Sequence, residues 1–446
     1  MPRRDFLALA PFAGWAKRRF RSSGFFRLER DRRRWWLVTP QGHAFLGFGL
    51  NHINVNLLRR KECAGHWAGR FGIPADAPAD AFLPGYHRKL SDDLAALGMN
   101  HVGVHSPTRN LPPGFCPYIH RIEFVAINHY QTPAAGDFHD VFAPEFDAHC
   151  DRIARADALP RARDPRLIAY FFTDCPIFTE MDAAPRDNGL FGAVRPGLPT
   201  WPRVLRNLGP TSPGKQAYVA AMRELYHNDI GAFSNAYSRP FESFGALAAA
   251  VDWKPGHDWG NAAEMRDNLF FLERIAGRYY SVATAAIRRY DANHLIAGDK
   301  LNGNAATPES IIRLAARHID FVFYQMFGFW KEQERVIAEW SRLSGKAVFN
   351  GDVSIAVPYA EMPNPYGPHC RTQEERAARF REFAEGAYAR PEFLGLTWCG
   401  WIDSLEAYQK GKQHGGVQTP CGDFYKPLAE EMARFSARMY EIAAKA

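Results

Sequence analysis

Eight short apolar runs, each ending in polar residues, recur along the chain, and this alternation constrains the fold more than any other feature. They cover residues 43–52, 99–106, 124–130, 167–176, 294–300, 321–327, 347–352 and 393–403. None shows the strict alternation of a half-exposed strand, so each reads as a strand covered on both faces, the mark of a parallel sheet. Helical patterns at 91–98, 145–156, 272–290, 332–343 and 372–389 precede five of the runs, the first closing on Gly98. Eight strands alternating with helices is the count of an α/β fold of the (β/α)8 (TIM) barrel type. An open doubly wound sheet is the rival. It calls for a Gly-rich phosphate turn after the first run, and Gly47-Phe-Gly49 followed by Leu50-Asn51-His52 does not match one.

The remaining segments are read around that barrel. Residues 25–29 and 34–39 form two strands, with a turn at Pro40-Gln41-Gly42, as a hairpin closing one end of the fold. Residues 177–293 are too long for one connection. Their Pro/Gly-rich loops (185–213) and helical patterns (214–250, 262–290) predict a largely helical insertion between strands four and five, over the barrel mouth. The barrel proper is expected over 24–446. Residues 1–23 form a basic leader: Arg3-Arg4, Phe6-Leu7 and an apolar stretch to Ala16 resemble a twin-arginine export signal. Used as such, the leader implies a periplasmic or secreted protein; read as a frayed basic helix, it leaves the protein cytoplasmic.

The 446 residues carry a net charge of +7, and residues 1–34 alone hold eleven Arg/Lys against three acids. The rest is near neutral, so no basic face for nucleic acid is expected. The longest apolar stretches fall well short of the roughly 20 residues that span a bilayer. The seven Cys are scattered, without disulfide-framework or zinc-ribbon spacing. The oligomeric state is not written in the sequence.

Active sites of such barrels lie at the C-terminal ends of the strands. That rule selects Asn51, His52, His105, Asn128, His129, Asp174, Asp299, Lys300, Gln325, Asp352, Trp398 and Asp403. Amides, imidazoles, carboxylates and one indole converging on a single face suit polyol recognition. Lys412, Gln413 and His414 beside Gly415-Gly416 fit a further sugar subsite on the loop after strand eight, for an acidic or sulfated sugar. His52, His105 and His129 with Asp174 or Asp352 also admit a hydrolytic zinc reading, but no ligand spacing is characteristic, and neither metal nor cofactor is expected.

Several segments carry a resemblance. Residues 35–51, WWLVTPQGHAFLGFGLN, resemble the start of the barrel in agarase-like glycoside hydrolases, the family 50 type within the clan of retaining barrel glycosidases. Residues 140–146 followed by 164–174 are similar to the family's approach to strand four. Residues 287–295 are similar to its approach to strand five, and 346–352 to its strand seven. The resemblance runs from about residue 24 to 430. It implies a carbohydrate substrate and an Asn-Glu pair at the end of strand four, the Glu being acid/base. Those two positions hold Cys175 and Pro176, and the nucleophilic Glu of strand seven is replaced by Asp352.

Glycoside cleavage asks for two carboxylates flanking the scissile bond. The resemblance suggests Asp352 as nucleophile or base. The position of Asp174 suggests the acid, with Glu180 in reserve. Aspartates are one methylene shorter than glutamates, so a wider gap, and inversion through a water, is expected. The leading expectation is an agarase- or β-galactosidase-like glycoside hydrolase working with an Asp pair. The alternatives are a non-catalytic sugar-binding barrel and a metal-dependent barrel hydrolase.

Overall fold

The computed structural model describes residues 18–112, 114–128, 134–178, 200–251, 262–304, 307–407 and 411–445. Eight parallel strands close into a barrel: β4 (Gly47–Leu50), β5 (His101–Val102), β6 (Tyr118–Arg121), β7 (Leu167–Asp174), β8 (Leu295–Asn302), β9 (Val322–Gln325), β10 (Val348–Val353) and β11 (Phe393–Trp398). β11 pairs with β4 and closes the ring. That contact is tight, because a Cβ built on Gly395 would stand 2.3 Å from the carbonyl oxygen of Gly47. Inward side chains of the strands, among them Ile168, Phe171, Phe323 and Phe349, fill the interior, so the barrel is a packed core and not a channel. The expected (β/α)8 architecture is the one the chain builds.

Below the barrel lies a small antiparallel sheet of β1 (Arg27–Arg30), β2 (Trp35–Val38) and β3 (Ala44–Phe45). Phe26, Leu37 and Phe45 belong to the same apolar cluster as the barrel interior, so the sheet plugs its N-terminal end. The apolar run 43–52 therefore serves two sheets: Leu46 divides β3 from β4. Arg34 fastens the plug. Its buried guanidinium donates to the carbonyls of Tyr388 at 2.9 Å, Phe393 at 2.8 Å and Ala443 at 3.1 Å.

The outer layer is helical. Its principal helices are α1 (Ala64–Phe71), α2 (Ala79–Leu97), α3 (Pro144–Asp157), α4 (Trp201–Arg206), α5 (Pro213–Leu225), α6 (Ile230–Ala236), α7 (Phe244–Ala249), α8 (Ala262–Tyr290), α9 (Glu309–Ala315), α10 (Trp330–Ser344), α11 (Gln373–Tyr388) and α12 (Lys426–Ala444). Gly98 and Gly345 end α2 and α10 in the left-handed conformation, φ 68° and 69°, which glycine adopts without a Cβ clash. α8 lies along α3, where the Tyr290 hydroxyl donates to Asp151 at 3.0 Å and Phe146 meets Tyr279. It is thus the barrel's own helix before β8, inside the span expected to be insertion. α4 is tied to α8 through a buried ion triad in which Arg203 and Arg206 each lie 3.0 Å from Glu264. The leader through residue 17, His129 and Glu180 lie outside the described residues.

The third strand differs from expectation. Phe124, Val125 and Ile127 are apolar and buried, as the run suggests, but they lie beyond β6 alongside the chain that leaves β7. Thr173 Oγ1 donates to the Val125 carbonyl at 2.7 Å and Ile177 N to that of Ile127 at 2.8 Å. The strand is Tyr118–Arg121, whose polar His120 and Arg121 hide it from a search for continuous apolar runs. The second run contributes only two strand residues.

Candidate active site

The carboxyl ends of the strands deliver six of the expected residues to one place. Asp174 ends β7, Lys300 lies in β8 in register with it, and Asp352 lies in β10. Asn51, His52 and His105 follow β4 and β5. Three residues here, His52, His105 and Cys175, hold left-handed backbone at φ 53°, 58° and 51°. Non-glycine residues in that region are uncommon and cluster where a site needs a side chain aimed against local preference.

Lys300 is the hub. Its ammonium stands 3.0 Å from Asp174 Oδ1, 2.8 Å from Asp352 Oδ2 and 3.1 Å from His105 Nε2. His105 Nε2 in turn lies 3.1 Å from Asp174 Oδ2 and 3.7 Å from Asp352 Oδ2. With its proton, that nitrogen donates to Asp174; without it, it accepts from Lys300. Asn51 Nδ2 donates to the other oxygen of Asp352 at 2.9 Å and to the Gly351 carbonyl at 2.7 Å. Of the four central side chains, Lys300 is fully covered and His105, 20% exposed, is the most open. The ammonium therefore lies on the protein side of the carboxylates, and the imidazole faces outward.

Burial pushes both carboxyls up, but the Lys300 charge and His105 outweigh it. They hold Asp174 well below the ordinary carboxylate range and Asp352 below it too. Burial works against the Lys300 charge, and the two aspartates more than restore it, so the ammonium is held above its ordinary range. The centre is thus one cation with two anions.

His52 stacks on His105, ring centroids 4.6 Å apart, and meets His414 at 4.3 Å. Burial, then repulsion from neighbouring cationic or imidazole groups, keeps both His52 and His414 well below the usual imidazole range, hence neutral. Cys399 Sγ lies 3.7 Å from His414 Nδ1, and Tyr366 stacks against the same ring at 4.7 Å. Sequence reasoning missed Cys399 and Tyr366, although Cys399 directly follows β11.

Among the described residues, two groups could hold a cation: His52 with Cys399 and His414, and His52 with His105 and Asp352, the donor atoms of each lying within 4.8 Å of one another. In the second, the Lys300 ammonium already occupies Asp352.

Other expected residues serve the scaffold. Asp299 points the opposite way from Lys300 and accepts from Thr173 N at 2.9 Å and the Tyr279 hydroxyl at 3.1 Å. Burial pushes it up to about 6. Trp398 is fully buried against Phe380 and Arg376, away from the centre. Asp403 ties loops together by accepting from the hydroxyls of Tyr359 at 2.8 Å and Tyr425 at 2.5 Å. Lys412 donates to Asn364 Oδ1 at 2.8 Å, and Gln413 donates to the carbonyls of Glu361 and Leu405 at 2.9 and 2.7 Å. Gln325 is buried beside Asp352 in strand register, and buried Asn128 bridges to Pro176.

No protein-family model matches the chain. A curated relative, beta-agarase B of Vibrio sp. (strain JT0107), is 23% identical over 240 residues, which is 52% of this chain and 24% of that protein. The chain thus spans about a quarter of the length of that relative. Among solved structures, an exo-beta-agarase superposes with a TM-score of 0.78 at 17% identity, over 98% of this chain and 68% of that one. A second agarase superposes with a TM-score of 0.77 at 17% identity, over 97% and 68%. At these identities the likeness is one of fold, and it carries nearly the whole described chain onto the barrel that the agarase structures share.

Proposed function

We propose that the chain is a glycoside hydrolase of agarase-like type, cleaving a β-linked galactoside-class bond with an aspartate pair. The observation that carries this reading is the convergence of Asp174 and Asp352, from the fourth and seventh barrel strands, on one ammonium and one imidazole. The relatives named as agarases support the substrate class.

In this reading Asp352 is the nucleophile. Asn51 fixes one carboxylate oxygen and Lys300 keeps the group ionised. Asp174, held as a carboxylate, acts as the orienting partner of His105. His105 protonates the departing glycosidic oxygen as Asp352 bonds to the anomeric carbon. The imidazole then takes a proton from the water that releases the sugar from Asp352. In this mechanism the acid, His105 Nε2, stands 3.7 Å from Asp352 Oδ2, which leaves no room for a water between them. That narrow gap favours retention over the inversion argued from aspartate length.

A panel of neutral and charged oligosaccharides and aryl β-glycosides tests the proposal, with first-product anomer followed by NMR. Turnover with retained configuration is expected, abolished in D352N and unaffected by dialysis against a chelator. Loss of activity to chelator would favour a metal-dependent hydrolase. A second reading, a sugar-binding barrel without turnover, draws on the ion pairing of both carboxylates to Lys300. Tight glycan binding with no product from any substrate would support it.

A further inference from the structure

A side pocket of about 310 Å³ opens from the centre between the loop after β5 and strand β6. It lies where β5 and β6 pair at only one position, Val102 with Tyr118. His105 belongs to both the pocket and the centre. Ser106, Thr108, Arg109, Arg121 and Arg161 also line it, and no carboxylate does.

The three guanidiniums are not fully neutralised. Arg121 pairs with Glu123, and Arg161 Nη1 lies 3.4 Å from Asp157; both carboxylates stand outside the lining. Arg109 has no carboxylate partner among the described residues. The buried Nε of Arg121 has no hydrogen-bond partner among them either. A buried, unused N–H on a cation is costly unless an acceptor reaches it. The lining hydroxyls are already engaged, Ser106 donating to the Val104 carbonyl at 3.3 Å and Thr108 Oγ1 lying 3.4 Å from His120 Nδ1, so the guanidiniums are the groups left to meet an anion. The volume equals that of roughly ten waters at liquid density, enough for one sugar unit.

We infer that this pocket is a subsite for an oxyanion substituent, a carboxylate or a sulfate ester, on the sugar unit next to the bond being cleaved. The inference rests on the glycosidase reading for its choice of ligand, and it places the acidic-sugar preference here instead of at Lys412. A planar carboxylate or a sulfate matches paired guanidinium N–H groups, which bind such anions more strongly than neutral hydroxyls.

The test measures affinity by titration calorimetry, independently of turnover. Three galacto-oligosaccharides of equal length are compared: neutral, uronate-bearing and sulfated, with sodium sulfate alone as a fourth arm. At least one charged oligosaccharide is expected to bind about tenfold or more tighter than the neutral one. The stronger arm identifies the anion. In R109A the preference should fall below about threefold, and R121M, checked for folding by circular dichroism, should behave alike. Added salt should erode the preference. Equal affinity for all three glycans, a preference that survives in R109A, or sodium sulfate binding as tightly as the charged glycan would each overturn the subsite. Binding preference without hydrolysis of any glycan would instead sink the hydrolase reading and leave the anion subsite standing.

Discussion

The ammonium of Lys300 lies 2.8 Å from Oδ2 of Asp352, and both groups are buried. Removing the cation leaves the two buried carboxylates with His105 beside them but without their nearest full positive charge. K300M should lose about 3–5 kcal/mol of stability at neutral pH in urea unfolding. In the wild type, the depressed aspartates add stability above the ordinary value of 3.8, lost as pH falls through their lower folded values. In K300M that acid tolerance should shrink, and any acid limb of turnover should move to higher pH. An unchanged unfolding midpoint at pH 7 would deny Lys300 this role.

Proton delivery separates His105 from Asp174. If His105 is the acid, H105A should lower kcat/KM for unactivated glycosides by about 10²- to 10⁴-fold while sparing kcat/KM for dinitrophenyl glycosides, whose leaving group needs no proton. D174N should show the same selectivity in milder form if Asp174 orients His105. Leaving-group selectivity in D174N and not in H105A would make Asp174 the acid.

Asp299 reports burial through pH. Its folded value, about 6, lies above the ordinary 3.8, so its stabilising contribution is present in acid and lost as pH rises through about 6. D299N keeps the acceptor for Thr173 and Tyr279 without the charge. It should match the wild type near pH 4 and exceed it at pH 8 by up to roughly 3 kcal/mol, a two-unit shift at 1.36 kcal/mol each. Equal stability at both pH values would mean that Asp299 carries no buried charge.

Arg34 is a structural counterpart far from the chemistry. R34M should leave the carbonyls of Tyr388, Phe393 and Ala443 without their donor. The expected loss is about 3 kcal/mol or more in unfolding, with KM unchanged on the folded fraction.

The barrel was legible because buried parallel strands read as apolar runs and because the candidate-site groups sit at their ends. That rule alone names Asn51, His52, His105, Asp174, Lys300 and Asp352. What it lacks is parity. Asp299 and Lys300 are neighbours in one strand and face opposite ways, and a continuous apolar run carries no alternation to say which faces the hollow. Trp398 fails as a sugar platform for a related reason: it packs outward against α11. Arg121 escaped because β6 is too short and too polar to register, although it too ends in a charged residue at the mouth.

The segment shared by β3 and β4 has a practical consequence. With only Leu46 between them, cap and wall are one piece of chain, so trimming cannot separate them. A shortened protein beginning at Gly47 would be a tube with its lower opening bare and Phe349 and Leu295 wetted, and it should collapse into aggregates instead of yielding a minimal enzyme.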